Sequence, residues 1–173
     1  MVTSLYGPKW LQSSKPVVAT CSATEQRIVL RPPAVTHVRH FRQTWILNTE
    51  AGGQLFGTIS SDCVSVETAT GPYPGDERSR YRYRSNPKAA QAAIDHQATK
   101  GLLYLGEWHT HAEDQPSASS LDADAMKRLI ANSRLNSTAL LMLIVGLKKT
   151  AKGMALFTVT PDGSKQWTLA STD

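Results

Sequence analysis

The strongest constraint on this 173-residue chain lies between Glu107 and Asp122. There, His109 and His111 are followed, after seven intervening residues, by Ser119 and then by Asp122 three positions on. The apolar run Leu102-Leu103-Tyr104-Leu105 ahead of the histidines predicts a strand over 102–111. Residues two apart on a strand point the same way, so both imidazoles leave one face. Pro116 breaks the chain into a loop. Ser119 stands where a helix over 121–133 should begin, with Leu121, Ala125, Leu129 and Ile130 at helical spacing. Asp122 falls in the first turn of that helix. Two nitrogen ligands and one carboxylate can therefore converge and leave a fourth tetrahedral position open, as in a catalytic zinc site.

Simpler uses of the same residues compete with this. Ser119-x-x-Asp122 is also an ordinary capping arrangement, with a hydroxyl on orphan N–H groups and an acid near the positive helix end. A lone His-x-His is commonly a hydrogen-bonded or surface pair. The two roles of the serine segment are compatible, because a capped helix start is a rigid mount for a ligand. The combination of histidines, spacing and an available upstream glutamate favours a metal. That upstream element is Glu50-Ala51-Gly52-Gly53-Gln54-Leu55-Phe56-Gly57.

The skeleton His-x-His, seven residues, Ser-x-x-Asp, with Glu-x-x-Gly upstream, resembles the JAMM (JAB1/MPN+) metallopeptidases. Gly106-Glu107-Trp108-His109-Thr110-His111 and Glu50-Ala51-Gly52-Gly53 are similar, more narrowly, to the small prokaryotic JAB proteins of integrative elements and of antiphage or ubiquitin-like-conjugation operons. The likeness runs from about Ile28 to Leu169. One departure is Ala112, where many relatives have proline after the second histidine; it touches loop stiffness and no ligand. The resemblance implies an α/β (α+β) domain built on a JAB1/MPN-like curved mixed sheet flanked by helices. It also implies one Zn²⁺ per chain and zinc-dependent isopeptidase or peptidase activity. Cleavage would fall after the C-terminal tail of a ubiquitin-like protein, in deconjugation or in precursor maturation. In the narrower group the expected task includes reversing the attachment of a signalling enzyme in an antiphage operon, alongside operon-encoded conjugation enzymes.

The length suits one domain with a reasonable core, and 40% hydrophobic residues argue for a folded globule. We expect an N-terminal arm over 1–24, with a short strand at 17–21, and a single domain over 25–173. Cys21 and Cys63 are too few for a disulfide framework. Neither a signal peptide nor a membrane-length apolar run is read, so the cytoplasm is the expected location. The net charge of +5 makes an acidic partner or nucleic acid conceivable, but much of the excess is local to Arg78, Arg80, Arg82 and Arg84.

Along the chain, further strands are predicted at 26–30, 54–60, 63–70, 140–145, 154–160 and 166–170. Helices are predicted at 34–43, after Pro32-Pro33, and from Asn86-Pro87 to about Lys100, ended by Gly101. His37 and His40 lack a third ligand, and His96 suits the surface or core better than a metal. Gly71 to Asp76 is a loop on turn chemistry. Arg78 to Arg84, read as one strand, sets four guanidiniums on one face and two tyrosines on the other. That pattern fits a charged edge strand, a nucleic-acid surface, or a rim of Arg80, Arg82 and Arg84 that guides an acidic protein partner. The edge strand is favoured over nucleic acid.

With His109, His111 and Asp122 as ligands, the family likeness assigns Glu50 as the proton-transferring carboxylate and Ser119 as a donor to the oxyanion. Glu107, on the same strand face as His109, is expected to orient an imidazole N–H, with direct base catalysis as its rival role. Trp108 and Thr110 face the other way and should pack. Other readings are a sulfur-carrier or small-peptide metallohydrolase, a non-catalytic scaffold of the same fold, and a nucleic-acid-binding module. Intact ligands weigh against the scaffold. No membrane partner is expected.

Overall fold

A computed structural model describes residues 14–135 and 137–172. Their order is β1 (Val17–Cys21), β2 (Thr24–Leu30), α1 (Pro32–His40), β3 (Gly52–Ile59), β4 (Cys63–Ala69), β5 (Glu77–Ser79), β6 (Arg82–Arg84), α2 (Pro87–Ala98), β7 (Leu103–Thr110), α3 (Ser120–Asn132), β8 (Leu140–Val145), β9 (Met154–Thr160) and β10 (Gly163–Ser171). Eight strands form a mixed sheet in the order β1-β10-β9-β8-β7-β3-β4-β2, and pairing of β2 with β1 closes it into a barrel. The β2–β4 and β7–β8 pairs are parallel. This is the expected mixed α+β architecture, and the curved sheet goes as far as closing on itself. Closure comes from β1, the strand foreseen inside the N-terminal arm, which pairs with both β2 and β10. The sheet therefore begins at Val17. Residues 1–13 of the arm lie outside the described residues.

One difference concerns Arg78 to Arg84. The segment is a hairpin, β5 against β6, turning at Arg80-Tyr81. A turn inside the run destroys the simple alternation of one continuous strand, so the four arginines do not share a face.

The apolar pattern explains the layering. Every residue of β8 is buried. Leu141, Leu143 and Val145 join the barrel interior with Leu55, Val66, Trp108, Leu156 and Trp167. Leu140, Met142 and Ile144 join an outer cluster with Phe157, Val159 and Met126 of α3. A strand covered on both faces must be apolar throughout. α1 starts on Pro32 and Pro33, whose fixed φ suits a first helical turn, and buries Ala34, Val35 and Val38 against the sheet. α2 is capped by the Asn86 side chain on the N–H groups of Lys88 and Ala89. Among the described residues no helix is long and apolar enough to cross a membrane.

Candidate metal centre

Register decides which strand face carries the histidines. His109 lies opposite Ile144 and Glu107 opposite Met142 on the parallel neighbour β8, while Trp108 lies opposite Leu143. Paired residues share a face, so Trp108 and Thr110 enter the interior, where both are fully buried. His109 points outward, to the side that α3 covers. α3 seats there through Met126, Leu129 and Ile130, which brings its first turn over the end of β7. His111, just past the strand, stays in register through its N–H bond to the Val145 carbonyl at 3.0 Å.

The three predicted ligands meet. His109 Nε2 and His111 Nε2 are 3.1 Å apart, His109 Nε2 is 3.3 Å from Asp122 Oδ1, and His111 Nε2 is 3.5 Å from Asp122 Oδ2. Ligands at zinc's usual bond lengths sit ~3.3–3.6 Å apart on the edges of a tetrahedron. The triangle here fits that size, and its N, N, O donor set suits the ion. The side chains are only 14%, 14% and 18% exposed. Lone pairs converging at such distances in a largely dry place repel unless a cation or shared proton lies among them.

Surrounding groups fix the three candidate ligands. Ser119 and Asp122 form a full capping box: Ser119 Oγ accepts from Asp122 N at 3.2 Å, and Ser119 N donates to Asp122 Oδ2 at 2.8 Å. Ser119 Oγ also donates to Asp122 Oδ2 at 2.7 Å. Burial alone would raise the Asp122 carboxyl, but the His109 ring and the Ser119 donors outweigh it and hold the group well below the usual carboxylate range. Burial and the neighbouring His109 push His111 down, towards the neutral imidazole that ligation needs, while the Ser117 backbone accepts a hydrogen bond from its ring.

Glu50 sits just ahead of β3. Two bonds clamp the next residue to β7: Thr110 N donates to Ala51 O at 2.8 Å, and Ala51 N donates to Thr110 Oγ1 at 2.9 Å. β5 holds Glu50 itself, through Glu50 N to Ser79 O at 2.7 Å and Arg78 Nε to Glu50 O at 2.6 Å. Register then sets Gly52 opposite His109. Glu50 is 7% exposed. Burial drives its carboxyl up to about 7, with the charges of His109 and Asp122 acting in opposite directions. The Glu-x-x-Gly glycine has a steric reason as well. A Cβ on Gly53 would lie 1.8 Å from the Thr70 carbonyl oxygen, and one on Gly52 would strike the Tyr83 ring at 2.4 Å.

Glu107 has partners other than the expected imidazole. Tyr104 Oη donates to its carboxylate at 2.5 Å and Gln54 Nε2 at 2.9 Å. Gln54 in turn accepts from Tyr73 Oη at 2.5 Å. Burial raises Glu107 to about 7 against these two donors. Ser119 Oγ, expected to face an oxyanion, spends its proton on Asp122. Of the rim candidates, Arg82 and Arg84 are exposed while Arg80 is half-buried at the hairpin tip, its Nη1 donating to the Ile46 carbonyl. His37 donates to or accepts from no metal group but packs edge-on against Trp108, with its Nε2 2.6 Å from Gly71 O; His96 is exposed. Sequence reasoning missed Gln43, Gln54 and Tyr104. Gln43 and Gln54 are ordinary helix-end and strand residues until long-range contacts supply their partners, and Tyr104 reaches Glu107, three residues on, across an irregularity in the β3–β7 register.

A histidine pair at the end of β7, the aspartate of α3 and a buried carboxyl nearby form, on a mixed α+β barrel, a cluster that could hold a metal ion. The comparisons give the family. Residues 34–162 match the family described as prokaryotic homologs of the JAB domain, and the chain belongs to that family. A Pseudomonas aeruginosa protein named CD-NTase/cGAS isopeptidase is 40% identical over 56% of this chain and 63% of its own length, so this chain covers less than two thirds of that relative. A Vibrio cholerae protein of the same name is 32% identical over 70% of this chain and 77% of its own. The solution structure of a Desulfitobacterium hafniense protein superposes with a TM-score of 0.51 at 25% identity, covering 75% of this chain and 82% of that one.

Proposed function

We propose that this protein is a zinc-dependent isopeptidase that hydrolyses the amide joining the C-terminal carbonyl of one protein to an amine of another. The convergence of His109, His111 and Asp122 to within 3.5 Å of each other, beside the buried Glu50, carries the reading. These three residues would hold the ion. Zinc, when bound, supplies a Lewis acid that polarises the scissile carbonyl and makes water a better nucleophile near neutral pH.

The chain's own groups supply the proton chemistry. Glu50, raised to about 7, sits near the operating pH, where a carboxylate takes a proton from attacking water and its acid form returns one. As the C–O bond forms and the C–N bond breaks, that proton passes to the leaving nitrogen, giving a free carboxylate and a free amine. Ser119 can donate to the oxyanion only after its hydroxyl releases Asp122 Oδ2. Gln54 and Tyr104 occupy the Glu107 carboxylate, two residues before His109 on the same strand.

The shared name of the two relatives favours a CD-NTase as the protein released, in a cytoplasmic antiphage setting, with a ubiquitin-like protein as the other substrate class. The test is incubation of the zinc-loaded enzyme with a CD-NTase joined through its C-terminus to a lysine side chain, and in parallel with a ubiquitin-like fusion, followed by intact-mass analysis. Release of the unmodified C-terminus by the wild type, absent for Glu50→Gln and after chelation, is expected. Release that survives chelation would sink the proposal.

A further inference from the structure

The turn between α1 and Glu50 exposes three large apolar side chains in succession. Trp45, Ile46 and Leu47 are 65%, 71% and 79% exposed, and Tyr81 at the β5–β6 tip is 80% exposed. Contiguous apolar surface of this kind marks a place of interaction. The turn is held in shape. Asn48 closes it twice, accepting from Trp45 N through Oδ1 at 2.8 Å and donating its own N–H to Trp45 O at 2.9 Å. Gln43 Nε2 donates to Asn48 O at 3.3 Å and to Arg80 O at 3.0 Å, and Arg80 donates to Ile46 O, so turn and hairpin tip form one piece. Gln43 also accepts from Thr110 Oγ1 at 3.3 Å, which fastens that piece to the strand between the two histidines. A surface with its backbone already fixed loses little entropy when bound.

Charge selects the occupant. Residues 77–84 hold four arginines and one glutamate. Arg78, Arg82 and Arg84 are exposed, and Arg84 approaches Glu77 only at 3.9 Å with both side chains in water. Apolar side chains joined to a hairpin with an excess of guanidiniums complement apolar side chains flanked by carboxylates. A second copy of this chain would bring the same positive patch against itself in a two-fold contact, which like charge disfavours. Nucleic acid offers phosphates and bases that stack on rings such as Trp45 and Tyr81, but no aliphatic side chains to match Ile46 and Leu47.

We infer that the turn at 44–48 and the hairpin tip at 80–82 form a docking platform for a protein partner that presents apolar side chains flanked by Asp or Glu. The platform ends two residues before Glu50, so a partner seated on it lies beside the ligand cluster. Identifying that partner as the protein whose amide is cut rests on the isopeptidase reading; the docking itself does not.

The experiment measures binding without turnover. The full chain, stripped of metal, is titrated with a fluorescent peptide alternating Asp or Glu with Leu and Phe. Two controls replace either the apolar residues by Ser or the acids by Lys. The acidic apolar peptide should bind tightest, by about tenfold or more, and Trp45→Ser with Leu47→Ser should remove that advantage. Arg82→Ala with Arg84→Ala should weaken it and flatten its salt dependence. Both variants should keep the wild-type circular dichroism and regain metal. Equal binding of the Lys peptide, or unchanged binding by the Trp45/Leu47 variant, would overturn the inference. So would a dimer in sedimentation that those two changes dissolve, since the patch would then belong to a second copy. Selective binding without any hydrolysis in the wild type would leave docking standing and the isopeptidase reading failed; hydrolysis without selective binding would do the reverse.

Discussion

Replacing Glu50 by Gln should make the metal-free protein more stable at pH 8 while abolishing its activity. The carboxyl is nearly enclosed, at 7% exposure, and its pKa rises from the ordinary 4.5 to about 7. A raised acid contributes most to folding where it is protonated in both states, below 4.5. As pH climbs from 4.5 to 7, the unfolded chain releases the proton and the folded chain keeps it, so stability falls at about 1.4 kcal/mol per pH unit and then levels off. Across that window the loss is about 3 kcal/mol. Gln keeps the shape and cannot ionise, so the variant escapes the loss. Glu107 also rises to about 7, but it titrates in both proteins and cancels in the difference. The assay is urea unfolding of both proteins in chelator from pH 4 to pH 8. The curves should coincide near pH 4 and separate to roughly 3 kcal/mol at pH 8. Zinc should narrow the gap, because a nearby cation favours the carboxylate. A gap that is absent, or that does not change with pH, would refute the argument that burial holds this proton.

Other expectations follow from the same contacts. Thr110→Val removes the acceptor of the buried Ala51 N–H, and should cost about 1–3 kcal/mol in urea unfolding while lowering kcat through misplacement of Glu50. Gly53→Ala forces a methyl to within 1.8 Å of the Thr70 carbonyl; a loss of about 3 kcal/mol or more, or failure to fold, should show in thermal melts. Ser119→Ala loses the helix cap, about 0.5–2 kcal/mol. If its hydroxyl also serves the oxyanion, kcat should fall about 10²–10³-fold with KM little changed, whereas an unchanged kcat would confine Ser119 to capping.

That His109, His111 and Asp122 come together was legible in the sequence because each part follows a local rule. Strand alternation aligned His109 with His111, and Ser119 marked the helix start that carries Asp122. What joins these parts is long-range. β7 pairs in parallel with β8, whose outward Met142 and Ile144 receive α3, and no local pattern announces that contact. Closure of the sheet was hidden for the same reason, since β1 finds β10 from the far end of the chain. The arginine run misled because alternation of Arg with Ser and Tyr imitates a strand, while the turn at Arg80-Tyr81 lacks the glycine or proline that usually betrays one. Glu107 is expected to face a histidine from strand parity and from the family likeness that gives the base role to Glu50; its actual partners, Gln54 and Tyr104, depend on the β3–β7 register.

The central claim is that His109, His111 and Asp122 hold a metal. Its most direct test is zinc per chain, by elemental analysis, in wild type and Asp122→Ala after dialysis against metal-free buffer. About one zinc is expected in the wild type and much less in the variant. A folded wild type that retains none, or an Asp122→Ala protein that retains as much, would contradict it.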